Sequence, residues 1–221
     1  MMRIENDYRI VERQFLGLQE LYKDIEIINI VSEYTAKAYS IGINTEHFKY
    51  HNYKELFDKT LGEERFTLSL LDDSMIVLYY EFNEEGKIIK HNLSFLPNYR
   101  YDLFRCDKMY DDEDEGEDEI SSEVFAERIN NYIRIDFDDK GYEEYYHAAV
   151  HMHIGVFQGG IRIPVQTIIY PYEFLYLIFK YLYHIGDCDL EKLNCEHKKD
   201  LNLSVRELKK FRLVYGAIEN V

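Results

Sequence analysis

Apolar residues recur at three- and four-residue steps from Tyr8 onward: Phe15, Leu18, Leu21, Tyr22, Ile25 and Ile28, then Val31, Tyr34 and Ala38. A helix buries one stripe at that period, so the pattern predicts a helix over residues 8–40 that stops at Gly42 and Asn44. A shorter helix is predicted over Tyr53–Thr60, ending at Gly62. From Phe66 the period changes. Phe66–Leu71 is a short apolar run, and Met75–Phe82 (MIVLYYEF) is rich in strand formers. Asn83-Glu84-Glu85-Gly86 is a hairpin turn, and Lys87–Leu96 alternates and closes the hairpin before Pro97.

The second half continues the alternation. A short helix is predicted over Phe125–Asn131, and strands over Tyr132–Phe137 (YIRIDF), His147–Val156 and Ile161–Val165. The turns DKG and QGG join these strands closely. Pro171 suits the first turn of a helix running to about Tyr183. Asp187–Val221 reads as helical, with basic residues gathered at Lys192, Lys198, Lys199, Arg206, Lys209, Lys210 and Arg212. The elements predict an α+β fold in one domain, 1–221. Helices fill 1–62, an antiparallel sheet of about five or six strands fills 66–165, and helices fill 171–221.

Composition narrows the function classes. The chain has 221 residues, enough for one good core, with 21 Tyr, 13 Phe and no Trp. Its three cysteines, Cys106, Cys188 and Cys195, are scattered and form no CxxC pair. That excludes a disulfide framework and a structural zinc cage. The charged N-terminus and the interrupted apolar stretches predict a cytoplasmic protein with no membrane association.

The formal net charge is −16. Half of it lies in Asp111–Glu119, which reads DDEDEGEDE. That run predicts a surface loop over 107–122, either simply solvated or the docking segment for a basic protein partner, and in the latter case the chain can be a non-catalytic protein-binding module. The overall charge opposes stable DNA binding, while a nuclease needs only a local positive site. GxGxxG, Walker and GxSxG patterns are absent, so a nucleotide-fold ATPase, a dehydrogenase and a serine hydrolase are not predicted.

Residues two apart on a strand share a face. That rule pairs Arg134 with Asp136 and His151 with His153, and it places Arg162 on the next predicted strand. Neighbouring strands would bring two His, two Arg and one Asp to one surface, with His147 four residues upstream. Two chemistries fit. In the first, no cofactor is needed: His151 and His153 act as general acid and base. Arg162 and Arg134 hold a phosphate with His147 beside it, and Asp136 orients a ring, as in a metal-independent ribonuclease. In the second, His147, His151 and His153 bind a divalent metal, with Asp136 an alternative ligand, and the metal activates water. A third reading is purely structural: Asp136 pairs with Arg134 or Arg162 as an ion pair, and the two histidines are hydrogen-bonded architecture. His47, His51, His91, His184 and His197 show no partner pattern and are read as structural or surface.

The segments HNLSFLP (91–97), YIRIDF (132–137), HMHIG (151–155), RIP (162–164) and Pro171-x-x-Phe174 together resemble an uncharacterised bacterial domain-of-unknown-function family. The resemblance covers about residues 66–183. More distantly, the order of hairpin, Arg/Asp segment, His cluster and closing helix resembles the toxin component TumE and its relatives. That resemblance implies a small bacterial effector in toxin–antitoxin or anti-phage settings, with an RNase activity and a protein partner such as an antitoxin or a defence-system component.

Overall fold

The hairpin between residues 75 and 96 is the spine of the fold. The computed structural model describes residues 6–44, 53–99, 132–140, 149–155, 162–165 and 167–193. The predicted acidic loop, the helix at 125–131, His147 and the tail beyond 193 lie outside the described residues.

Helix α1 spans Asp7–Asp24. Asn6 caps it, its side-chain oxygen accepting the Arg9 N–H at 3.2 Å. Ile10, Val11, Phe15, Leu18 and Leu21 bury its apolar stripe. The helix ends there, well short of residue 40. Strands β1 (Ile28–Val31), β2 (Ala36–Lys37) and β3 (Ser40–Gly42) follow, which corrects the long helix expected from spacing. The segment Ile25-Glu26-Ile27-Ile28-Asn29-Ile30-Val31 is crowded with β-branched residues. These lose side-chain freedom in a helix and pack well on a pleated surface. The sheet edge therefore wins the segment, pairing Ile28 with Leu70.

Helix α2 spans Tyr53–Gly62. Strands β4 (Leu68–Leu70), β5 (Met75–Phe82), β6 (Ile88–Leu96), β7 (Ile133–Asp138), β8 (Val150–Ile154) and β9 (Arg162–Pro164) follow. Helix α3 spans Pro171–Tyr181, and a 3₁₀ helix covers Asp187–Leu193. The architecture is α+β. Among the described residues, nine strands form one sheet in the order β1-β4-β5-β6-β7-β8-β9, with β3 also pairing β5 and β2 pairing β3. Every pairing is antiparallel. The extra strands beyond the predicted five or six come largely from residues 28–42.

Two glycines hold the hairpin and its edge. Gly86 takes φ +74° in the Asn83–Gly86 turn, where the Asn83 side-chain oxygen Oδ1 accepts the Glu85 and Lys87 N–H groups. Gly42 takes φ +103°, and a Cβ there would stand 2.1 Å from the Leu78 carbonyl oxygen.

The sheet has two different faces. Leu78, Tyr80, Phe82, Leu93, Phe95, Ile135, Phe137, Val150 and Met152 face α1 and α3 and form the main core. Asp7 ties the layers together: its carboxylate accepts the Tyr170 hydroxyl at 2.8 Å and the Ile88 N–H at 3.1 Å. The opposite face is apolar only beside α2, where Met75, Val77, Leu96 and Tyr132 pack on Tyr53, Leu56 and Phe57. The rest of that face is polar. Among the described residues no helix is long and apolar enough to cross a membrane.

Candidate functional site

Register builds the polar patch. Across β6, β7, β8 and β9, one row reads Asn92, Asp136, His151, Pro164. The next row, two residues along each strand, reads Ser94, Arg134, His153, Arg162. Opposed residues of antiparallel neighbours share a face with Cβ atoms about 5 Å apart, so the two rows form one small polar surface. The structure thus places Arg134, Asp136, His151 and His153 together. Arg162 sits on β9 opposite His153 in register; its side chain lies outside the described residues, as does all of His147.

One carboxylate oxygen is the hub. Asp136 Oδ2 accepts the Arg134 Nε–H at 2.8 Å. The same oxygen lies 3.4 Å from His153 Nε2 and 3.8 Å from His151 Nε2. The other oxygen, Oδ1, accepts the Asn92 side-chain N–H at 2.6 Å. Ser94 continues the network, donating to Asn92 Oδ1 at 3.2 Å and lying 3.3 Å from the Tyr132 hydroxyl. The two imidazoles meet edge to face with centroids 4.7 Å apart.

Burial is graded across the cluster. The side chain of His151 is 4% exposed, His153 11%, Asp136 19% and Arg134 35%. The rings are therefore enclosed, and the cluster meets solvent along the arginine. Burial works to raise the Asp136 carboxyl, but the His153 imidazole, the Arg134 guanidinium and the His151 imidazole outweigh it and hold the group below its ordinary value. At 3.4 Å His153 Nε2 stands beyond good hydrogen-bond distance of the carboxylate, and it is buried with no hydrogen-bond partner among the described residues.

Residues 23–215 match the family described as Uncharacterized conserved protein (DUF2290). The chain belongs to this family. No curated protein and no solved structure matches it. The DUF2290 match spans the whole of the polar patch, from Asn92 on β6 to Pro164 on β9.

Asn92, Ser94 and Tyr132 are the members of the patch that spacing alone did not select. The signal present was the alternation Lys90-x-Asn92-x-Ser94, which puts three polar residues on one face of β6. His91, one residue away, points to the other side. It is 1% exposed in the main core, where Nε2 accepts the Ile169 N–H at 3.4 Å. Burial pushes its pKa down to about 4, so it is a neutral core residue. His184 follows α3 in a left-handed conformation, φ 55°, and is exposed. His47, His51 and His197 lie outside the described residues, as do Cys106, Cys195 and the side chain of Cys188.

Proposed function

We propose that this chain is a phosphodiester-cleaving effector of bacterial conflict or anti-phage defence, with RNA as its substrate. The convergence of Arg134, His151 and His153 on one oxygen of Asp136 carries the reading. A partly buried carboxylate and two imidazoles beside a half-exposed guanidinium match the needs of phosphoryl chemistry. The arginine offers its outer N–H groups to a phosphate and steadies the charge that grows on it. Arg162, opposite His153 in register, is the second candidate for that role. The Asp136–imidazole cluster takes the proton of an attacking 2′-hydroxyl. The 2′-oxygen bonds to phosphorus, the bond to the 5′-oxygen breaks, and the proton that the cluster took passes on to that leaving oxygen. Both imidazoles turn toward the same carboxylate oxygen, so they work as one unit on the nucleophile rather than flanking a phosphate as separate acid and base.

The effector role follows from the resemblance to TumE-like toxins. The −16 charge favours a basic protein partner, with Asp111–Glu119 as its docking segment. Purified chain incubated with mixed-sequence RNA tests the activity, beside His153→Ala and with EDTA as a separate arm. Cleavage by the wild type that falls at least about 100-fold in the variant supports the reading. No cleavage of RNA under either condition overturns it.

A further inference from the structure

We infer that Asp136, His151 and His153 form a binding site for a single divalent transition metal of the zinc class. One donor atom from each residue lies within 4.8 Å of the other two. The imidazole-to-carboxylate separations are 3.4 Å and 3.8 Å. Ligands about 2.1 Å from zinc at tetrahedral angles stand about 3.4 Å from one another. The same separations are too long for good hydrogen bonds. The second observation is His153 Nε2, a buried ring nitrogen with no hydrogen-bond partner among the described residues. Its residue is 9% exposed, and the nitrogen faces the Asp136 oxygen. Burying an unpaired polar atom is unfavourable, and a bound cation removes that penalty.

The donor set selects the metal. Two nitrogens and one carboxylate oxygen suit zinc, cobalt or nickel, whereas magnesium and calcium take oxygen ligands. Three protein ligands leave a position for water or substrate, as in catalytic rather than structural zinc sites. The second shell is already in place: Asn92 holds the far oxygen of Asp136 at 2.6 Å. A neighbouring arginine opposes a cation, but Arg134 Nε is committed to Asp136 at 2.8 Å, and the net charge of −16 favours cation binding.

The inference deepens the reading of the cluster as a reacting centre. With Asp136, His151 and His153 engaged as ligands, the metal would supply the base for the attacking hydroxyl by acidifying a bound water, in place of the imidazoles.

The test uses the full chain stripped with EDTA and titrated with Co²⁺ alone, then Zn²⁺. The site predicts one equivalent of Co²⁺ with visible d–d absorption, displaced by one equivalent of Zn²⁺. It also predicts a rise in Tm on loading. His153→Ala and Asp136→Asn each weaken Co²⁺ binding at least about tenfold with an unchanged far-UV spectrum. Should a variant fail to fold, the absorption and Tm shift of the wild type decide the question. Absence of stoichiometric Co²⁺ binding, or equal affinity in folded His153→Ala, overturns the site. RNA cleavage is scored separately. A loaded protein that cleaves nothing keeps the metal site and removes the nuclease reading. Cleavage that survives chelation, with no Co²⁺ bands, does the reverse.

Discussion

His153 Nε2 stands 3.4 Å from Asp136 Oδ2, buried and without a hydrogen-bond partner among the described residues. The two residues sit on adjacent strands and are not opposed: Asp136 faces His151 and His153 faces Arg134 across the β7–β8 ladder. The contact is thus a diagonal one between neighbouring rows. It brings a second imidazole to a carboxylate that already accepts from Arg134 and Asn92, and it makes that carboxylate the point where all four strand residues act.

Asn92 is expected to fix which Asp136 oxygen meets the imidazoles. Asn92→Leu removes the donor to Oδ1 and leaves that oxygen unpaired in a mostly buried place. The folded variant should bind Co²⁺ about 10- to 100-fold more weakly, and stability should fall by about 1–3 kcal/mol. Co²⁺ titration followed by its d–d absorption checks the first effect. Asn92→Ala, which loses the donor without adding charge, should show the same loss of affinity. Unchanged affinity in both variants would remove Asn92 from the site.

Glu173 gives the fold a pH dependence remote from the cluster. It is buried at the start of α3, where it accepts the Tyr170 N–H at 2.8 Å, and burial raises its pKa from 4.5 to about 7. Between those two values the folded chain holds more protons than the unfolded chain, so stability falls as pH rises through that window. The contribution is complete below about pH 4.5 and gone above about pH 7. Glu173→Gln keeps an acceptor for Tyr170 and removes the charge. It should be more stable than wild type at pH 8 by about 1–3 kcal/mol, with the difference vanishing near pH 4. Thermal melts across pH 4 to 8.5 read this directly, and parallel curves for the two proteins would refute it.

Gly42 anchors β3 to β5. With φ +103° and the Leu78 carbonyl oxygen 2.1 Å from a built Cβ, alanine has neither the backbone conformation nor the space. Gly42→Ala should lower stability by at least about 2 kcal/mol, a Tm drop of about 4–8 °C for a chain of this size. A Tm within a degree of wild type would show that the β3–β5 contact is looser than described.

Local pattern made the hairpin and the site strands legible. Met75–Phe82 and Ile88–Leu96 announce themselves through β-branched and aromatic residues around an Asn-x-x-Gly turn. The spacing of Arg134 with Asp136, and of His151 with His153, put each pair on one face before any pairing was known. Residues 28–42 misled because Ile28, Val31 and Tyr34 satisfy a helical step by coincidence, while the β-branched density that decides the matter only counts once a sheet edge is there to receive it. Asn92 carried a weaker signal for a different reason. Whether Asn92 or His91 faces the cluster depends on the β6–β7 register, and the chain between those strands is too long to set it locally. The Val150–Ile154 strand raised the reverse difficulty: its histidines read as candidate chemistry, yet both side chains are largely buried.

The account stands most directly on Asp136 as the common partner of both imidazoles. Single-turnover cleavage of RNA by wild type and by Asp136→Asn, compared at equal far-UV spectra, measures that role. Asparagine preserves the size of the side chain, but it offers one acceptor oxygen where Asp136 uses two, so it keeps only one of the Asn92 and Arg134 contacts, and it removes the charge the imidazoles face. The account predicts a rate at least about 100-fold lower for the variant. Rates within threefold of each other in two equally folded proteins would contradict it.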